Sequence, residues 1–596
     1  MEIREDLGPV RQRSVVLMLA VFLALGALHL RVAQLQLIEG PYWRRMAENN
    51  RLRRLPLAAV RGRIYDRRGQ VLADNLPTWN LLLFPDEARN LDETLLFVAS
   101  LGVADAASLH LRVNERGADR LAPMVVGENL DWDQVTRVRS HQSDHPELSV
   151  IPGFRRHYPF RSSTAHAIGH LRLVSEGDVE ENPGLDPNSR VGATGIEALA
   201  DDFLTGRAGE RWVVVSAVGR QLGVVREEAA ESGKDLAVTL DAELQQVAAD
   251  ALGDRGGAVV ALDPGSGAVR VLYSAPSFDP ELFSGRLSPE SWKSLAEDPD
   301  HPLQDRCLQG TYPPGSTIKP FLALAGLEEG LINPDWTVQC TGGVTLYGHH
   351  FRCWRRGGHG SVDLSRSLEA SCDVYYYQLG QRLGIERMAQ WLDIFGFGRR
   401  TQIGLPSEAT GLVGNPEWSR QVRGTPWYPG EAVSVSIGQG PVLTTAIQLA
   451  RAFAVLANGG RLVTPHIVVK PDNADPIDLG LDPEHLEKIT RGLELVVHGD
   501  RGTARVMARL PVAGKTGTAQ VVRLTEGVDS KDLAPHLQHH AWFVGWAPMD
   551  DPRIVIALVV EHGGGGGSIA APTAAAIFAA ALGEADEARP DPAAAE

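Results

Sequence analysis

The densest apolar run lies near the start of the chain. Residues 15–30 read VVLMLAVFLALGALHL, with His29 the one polar position, and apolar residues continue past Arg31 at Val32, Leu35 and Leu37. A bilayer core takes about 20 such residues in a helix. No small-residue cleavage site follows. The pattern therefore predicts an uncleaved transmembrane signal anchor and juxtamembrane helix at residues 14–37, behind a cytoplasmic tail at 1–13. The competing reading is a buried core helix, for which the N-terminus offers no surrounding elements.

After the anchor the period shortens. RIYDRRGQVLADN, residues 63–75, alternates apolar and polar positions around Arg67-Arg68-Gly69, which predicts a hairpin. From there to about Ser232, short strands and helices mix with many arginines and acids and hold few nucleophile-like groupings. Residues 38–232 read as a structural or docking pedestal. Composition breaks at EEAAESGKD, residues 227–235. Beyond it, LAVTLDAELQQVAADAL predicts a strand and an amphipathic helix, and GGAVVALDPGSGAVRVLYSAP predicts two strands around an Asp-Pro-Gly-Ser-Gly turn. Near the other end, PRIVIALVVEH is a β-branched strand, followed by GGGGGS and an alanine-rich helix near residues 570–582. Strands at both ends with helices between predict one α/β domain at residues 233–583, its sheet closed by distant segments. The acidic, Pro/Ala-rich tail at 584–596 is expected to be disordered.

Composition narrows the function. The 596 residues are 43% hydrophobic and 22% charged, which suits a globular chain of several domains. A formal net charge of -16 argues against nucleic acid as a partner. Charge also raises a conflict over orientation. Arg4, Arg11 and Arg13 precede the apolar run, whereas Arg31, Arg44, Arg45, Arg51, Arg53 and Arg54 follow it. Read literally, the positive-inside rule would place the large domain in the cytoplasm. The chemistry below overrules it.

Lysine is scarce, and two of the seven lysines sit in unusual places. In YPPGSTIKPFLALAGL, Pro313-Pro314-Gly315 break the chain and Ser316 opens a predicted helix with Lys319 one turn on. A serine hydroxyl needs a base to act as a nucleophile. A desolvated lysine can be that base and an arginine cannot. In VAGKTGTAQ, Lys515 and Thr516 lie on a predicted strand with Gly517 and Thr518 beside them, a cradle for a carboxylate-bearing peptide. Between the two, EASCDVYYYQLG places Ser371 and Asp373 just ahead of a helix. An N-cap serine, a surface lysine and a glycine turn would explain each piece alone. The three in one order through one domain are a far more specific signal, the S-x-x-K, S-x-D/N and K-T-G set of penicillin-binding proteins and class A β-lactamases.

With these residues the chain resembles the class B penicillin-binding proteins, in the penicillin-binding protein 2 branch of the rod-shape elongation machinery. The resemblance also rests on RGRIYDRRGQVLADN and GATGIEALADDFLTGRAGER in the pedestal, TYPPGSTIKP, SIGQGPVLTTAIQLARAFAVLANGG and GKTGTAQ. Asp373 stands where many relatives carry Asn, and aspartate is familiar in that branch. The resemblance implies an α/β (α+β) penicillin-binding serine transpeptidase fold with an N-terminal pedestal and one transmembrane helix in the inner membrane, its catalytic domain outside the cytoplasm. It implies peptidoglycan stem peptides as substrates and β-lactams as inhibitors. Ser316 would be the nucleophile, Lys319 its base, Ser371 and Asp373 the middle motif, and Lys515, Thr516, Gly517 and Thr518 the carboxylate site. The backbone N–H groups of Ser316 and Thr518 would form the oxyanion hole. No cofactor is implied for catalysis. No glycan-polymerising domain precedes Gly233, so a SEDS-family glycosyltransferase and other membrane proteins of the elongation complex would be partners. A division-specific transpeptidase, a penicillin sensor that does not cross-link, and a β-lactamase are the alternatives.

Three cysteines and a histidine fall between the first two motifs or within the second. Cys340, Cys353, His359 and Cys372 form a Cys3His set of the kind that holds zinc tetrahedrally. The loop between them is rich in glycine and arginine, so a structural zinc would supply folding energy that the loop lacks. A disulfide or buried free thiols are the alternatives, and His349 or His350 could replace His359. Cys307 lies apart and reads as a small buried hydrophobe.

Overall fold

The computed structural model describes residues 8–41, 52–115, 123–182, 185–216, 221–469, 474–522 and 533–587. The first segment is a helix, Gly8–Ala33, that runs on through one wide turn, Gln34–Ile38. None of the apolar window within residues 13–38 is buried, and Phe22 and Leu30 are each more than 70% exposed. A core helix would not leave those side chains bare, so the buried-helix reading does not hold. Twenty-six helical residues span about 39 Å, ample for a bilayer core. A second long apolar helix, near residues 566–583, is partly buried and belongs to the core described below.

The chain forms two compact units, and they interleave along the sequence. One comprises residues 1–60, 77–154 and 207–232; the other comprises 61–76, 155–206 and 233–596. The pattern of the chain suggested a single break near residue 232. The hairpin at 61–76 and the segment 155–206, both expected in the pedestal, instead pack with the larger unit. The strand Ile64–Tyr65 pairs with Val71–Leu83 as expected, and also runs parallel to Leu236–Ala237. Glu197 is fully buried and holds both segments, accepting from Arg61 Nε and Arg156 Nε at 2.7 Å each. Arg61 also reaches Asp201 at 2.7 Å and Thr205 at 2.6 Å. These contacts join residues far apart in sequence and leave no periodic trace in it.

In the smaller unit, Leu52–Leu57, Gly209–Val215 and Gln221–Glu228 form an antiparallel sheet in that order. A second core gathers Leu81, Leu95, Val98, Leu109, Val126 and Val135 beneath the helices Leu91–Ser100, Ala106–Glu115 and Trp132–Ser140.

The larger unit is built on a five-stranded antiparallel sheet. Its order is Val269–Ala275, Gly257–Leu262, Ile554–Val560, His540–Ala547 and Ala513–Ala519. The expected closure of the sheet by distant segments is thus present. Successive side chains point to opposite faces. Val259 and Ala261 pack with Leu244, Leu252, Ile577 and Phe578, whereas Ala258 and Val260 pack with Phe321, Leu324 and Phe453. Both faces are covered by helices, which is why these strands read as continuous apolar runs rather than alternating ones. Among the described residues the strand at 513–519 has a strand neighbour on one side only, and its other edge is left open beside the turn Gly315–Ile318. The alanine-rich helix runs Ala571–Glu587, past the expected boundary at 584; residues 588–596 of that tail, and residues 1–7 of the N-terminal one, lie outside the described residues.

Candidate active site

Three backbone segments converge at the open edge of the sheet. Gly315 has φ +54°, and a Cβ there would lie 2.6 Å from the carbonyl oxygen of Thr518. A Cβ on Gly517 would lie 2.8 Å from Thr317 Cγ2 and 3.0 Å from the carbonyl of Pro314. Glycine at both positions lets the turn that carries Ser316 press against the strand that carries Lys515. Ser316 does not open the α-helix directly. Residues Gly315–Ile318 form a tight 3-10 turn and the helix begins at Lys319. Pro320 has no N–H to return to Ser316, so Lys319 N–H bonds the Ser316 carbonyl instead. Three residues per turn set Ser316 and Lys319 one above the other.

Lys319 is fully buried and its three protons all have acceptors. Nζ donates to Asp373 Oδ1 at 2.7 Å, to the Ser371 carbonyl at 2.9 Å and to Ser371 Oγ at 3.2 Å. It also lies 5.2 Å from the centre of the Tyr376 ring. Asp373 is the first residue of the helix Asp373–Ile394, where the helix dipole favours a negative charge. Among the described residues no hydrogen bond joins Ser316 Oγ to Lys319 Nζ, and Ser316 is half-buried. Lys515 is also fully buried, with Nζ donating to the Thr516 carbonyl at 3.0 Å. Burial and then the nearby Lys319 charge hold its pKa well below the ordinary lysine value, against a smaller pull from Asp373. The Thr516 hydroxyl is paired with Thr503 Oγ1 at 2.6 Å, and Thr518 is exposed on the strand. The five residues of the three motifs thus meet in one place, and Thr516, Gly517 and Thr518 line it.

Cys340, Cys353, His359 and Cys372 also meet. Their ligand atoms lie within 4.8 Å of one another, and all four residues are buried. His359 Nδ1 is 3.6 Å from Cys340 Sγ and 3.5 Å from Cys353 Sγ. Bond lengths of a tetrahedral zinc site would set such nitrogen–sulfur separations at about 3.6 Å. His349 and His350 lie instead on the exposed strand His349–Arg352. All four cysteines are free thiols, so no disulfide closes the loop. With no metal between them, hydrogen bonding with Cys372 lowers the Cys353 thiol, and the same contact raises that of Cys372. Cys307 is buried elsewhere, its thiol donating to the Tyr273 carbonyl at 3.1 Å.

Reading the motifs alone missed the residues that hold them. Trp354, Tyr376 and Thr503 contact the middle motif, Lys319 and Thr516 in turn. Trp354 sits next to Cys353 and so carried an indirect signal; Thr503 carried none.

Two family models account for most of the chain. The penicillin binding protein transpeptidase domain matches residues 257–579, and the penicillin-binding protein dimerisation domain matches residues 56–238. The chain is a class B penicillin-binding protein. Among relatives of this class B protein, the peptidoglycan D,D-transpeptidase MrdA of Haemophilus influenzae is 35% identical over 575 residues, 92% of this chain and 88% of the relative. The PBP2 of a Helicobacter pylori complex between PBP2 and MreC superimposes with a TM-score of 0.78 at 26% identity, covering 90% of this chain and 99% of the other. A chain from a peptidoglycan synthase complex that coordinates polymerization and crosslinking gives 0.69 at 30% identity, covering 97% and 99%.

The buried Lys515 sets a pH dependence. Its folded-state pKa lies below the unfolded value of about 10.4, so between the two the unfolded chain binds more protons and stability rises with pH. Lys515→Met removes that term. The variant should melt at least about 2 °C above the parent at pH 7, and the gap should narrow as pH approaches 10. Differential scanning fluorimetry checks this. A variant no more stable than the parent at pH 7, or a gap that does not change with pH, contradicts it.

Proposed function

We propose that this class B penicillin-binding protein is the peptidoglycan D,D-transpeptidase of cell elongation, working through a Ser316 acyl-enzyme. The convergence of Ser316, Lys319, Ser371, Asp373 and Lys515 beside an open strand edge carries the reading. A stem peptide ending in D-Ala-D-Ala would lie along the strand at 513–519 as an added strand, its terminal carboxylate held by Lys515, Thr516 and Thr518. Ser316 Oγ attacks the penultimate carbonyl, and the Ser316 and Thr518 N–H groups stabilise the oxyanion. Lys319 takes the hydroxyl proton. Because all three of its protons are already committed in the structure, it must first be in its neutral form. Ser371 Oγ, 3.2 Å away, is placed to pass the proton to the departing amine of D-Ala. The Oγ–C bond forms first and gives the tetrahedral oxyanion; its collapse re-forms the carbonyl, breaks the peptide C–N bond and releases D-Ala with the proton. An amine of a second stem then attacks the ester, forms the cross-link and returns the proton to Ser316. A β-lactam would enter by the first step and stop there.

The exposed apolar helix within residues 13–38 would anchor the protein as a single pass in the inner membrane, with the larger unit outside the cytoplasm, where its substrate is. The MreC complex and the synthase complex of the relatives support an elongation assembly as partner, with a SEDS-family glycosyltransferase supplying the glycan strands.

Cys340, Cys353, His359 and Cys372 would hold one structural zinc, whose chemistry there is that of a cross-link between loop segments. The nitrogen–sulfur distances and the buried thiols favour a metal over a disulfide. Cys372 occupies the N-cap position of the helix that begins with Asp373, so one ligand of this knot lies inside the middle motif, between Ser371 and Asp373.

Two measurements on the detergent-solubilised full chain test the reading. A fluorescent penicillin should label the parent on Ser316, fail to label Ser316→Ala, and label Lys319→Arg at least about 100-fold more slowly. Unchanged labelling of either variant contradicts the assigned roles. Elemental mass spectrometry of protein purified without added metal should find close to one zinc per chain, lost in Cys372→Ser. No zinc in the parent overturns the metal assignment and leaves the acyl-transfer roles standing.

A further inference from the structure

Ser371 adopts a backbone conformation that a serine rarely takes. Its φ is +52°, in the left-handed region. Such a residue persists only where its surroundings hold it there. Part of the hold is backbone: Ser371 N–H donates to the Leu368 carbonyl at 3.2 Å and Cys372 N–H to the Ser367 carbonyl at 3.0 Å; the rest comes from a side chain. Ser371 follows the short helix Leu364–Glu369, at a point where carbonyl groups run out of helical partners. Two of those carbonyls, of Ala370 and Ser371, accept from one donor, the indole Nε1–H of Trp354, at 3.1 and 3.2 Å. The backbone N–H of the same tryptophan donates to Asp373 Oδ2 at 2.9 Å. The other Asp373 oxygen receives Lys319 Nζ at 2.7 Å. Trp354 therefore grips both ends of the middle motif from outside. Trp354 is 59% exposed, and its ring centre lies 5.4 Å from that of His359. An exposed tryptophan that spends its one polar atom on a strained turn is not filling a core.

We propose that Trp354 is a positioning residue for acyl transfer: its indole N–H pins Ser371 in the left-handed conformation that keeps Ser371 Oγ against Lys319. The proposal rests on the functional reading above. Without the pin, only the backbone bonds of the turn and Lys319 hold it, and the Ser371 peptide and side chain gain freedom to shift. Ser371 Oγ then leaves the 3.2 Å contact with Lys319 Nζ, and the proton route from Lys319 to the leaving group opens. Lys319 keeps Asp373, because the carboxylate is held at its other oxygen by the Trp354 backbone N–H rather than by the indole. The loss falls on the chemical step. Recognition of the substrate carboxylate at Lys515 and Thr518 is untouched.

The test uses two variants of the full chain in detergent. Trp354→Phe removes the N–H and part of the ring. Benzothienylalanine at position 354, a sulfur isostere of tryptophan, removes the N–H and keeps the shape, so it stays informative if the phenylalanine variant folds poorly. Stopped-flow acylation by a chromogenic β-lactam separates the acylation rate constant from the preceding binding constant. Melting temperature is read on the same samples. In both variants the rate constant should fall about 10- to 100-fold, as expected for a misplaced catalytic group. The binding constant should stay within about twofold of the parent and the isostere's melting temperature should be unchanged. An isostere that acylates at the parent's rate overturns the proposal, whether or not Trp354→Phe is slow. So does a fall in binding and melting temperature with no separate fall in the rate constant. A parent that takes no β-lactam on Ser316 contradicts the functional reading itself, which distinguishes the two failures.

Discussion

A buried lysine organises this protein. Lys319 has no exposure to water, and a charge in that position costs several kcal/mol unless its hydrogen bonds are all made. They are made by Ser371 and Asp373, more than fifty residues further along the chain. To meet them, the helix Lys319–Glu328 must pack against the helix Asp373–Ile394, and the apolar faces of both, with Phe321, Leu324, Tyr376 and Leu379, sit in the largest core of the molecule. The ionic contact sets the register and the hydrophobic burial supplies the stability. Removing one partner of such a pair would leave the other buried and unpaired, so the two segments are tied together.

The second constraint is steric. The serine turn approaches the strand at 513–519 closely enough that a side chain on Gly315 or Gly517 would collide with it. That approach brings Lys515 into the same enclosed space as Lys319, and each cation penalises the other. Lys515 is held by a single carbonyl where Lys319 has a carboxylate, and burial with the nearby Lys319 charge pulls the Lys515 pKa down. An incoming carboxylate would restore to Lys515 what Asp373 gives to Lys319. The free site is thus less stable than its apolar equivalent and better matched to an anion.

Much of this was legible in the sequence, for a physical reason. The anchor, four of the five strands of the larger sheet and the three motifs are local patterns: an unbroken apolar run, β-branched strands, and reactive residues at fixed short spacing; the strand His540–Ala547 was not picked out. The Cys3His cluster was legible because zinc-type ligands stand out by residue type wherever they fall. Contacts made across the chain were not legible. Arg61, Arg156 and Glu197 look like ordinary charged residues, yet they draw two stretches expected in the pedestal into the larger unit. The start of the nucleophile helix shifted from Ser316 to Lys319 because Pro320 withholds one N–H, a detail visible in the sequence but easily outweighed by the apolar pattern around it. Trp354 escaped notice because its role depends on a backbone angle, the +52° of Ser371, that no sequence pattern announces.

The central claim is that these five residues turn over a peptide donor rather than merely bind a penicillin. The direct measurement is liquid chromatography with mass spectrometry of uncross-linked glycan strands bearing pentapeptide stems, after incubation with the full chain in detergent. The account predicts stem–stem dimers with one D-Ala released per cross-link, both abolished by penicillin. A protein that is acylated on Ser316 by penicillin yet forms no dimers and releases no D-Ala, even with its elongation partners present, would be a sensor, and the account would be wrong.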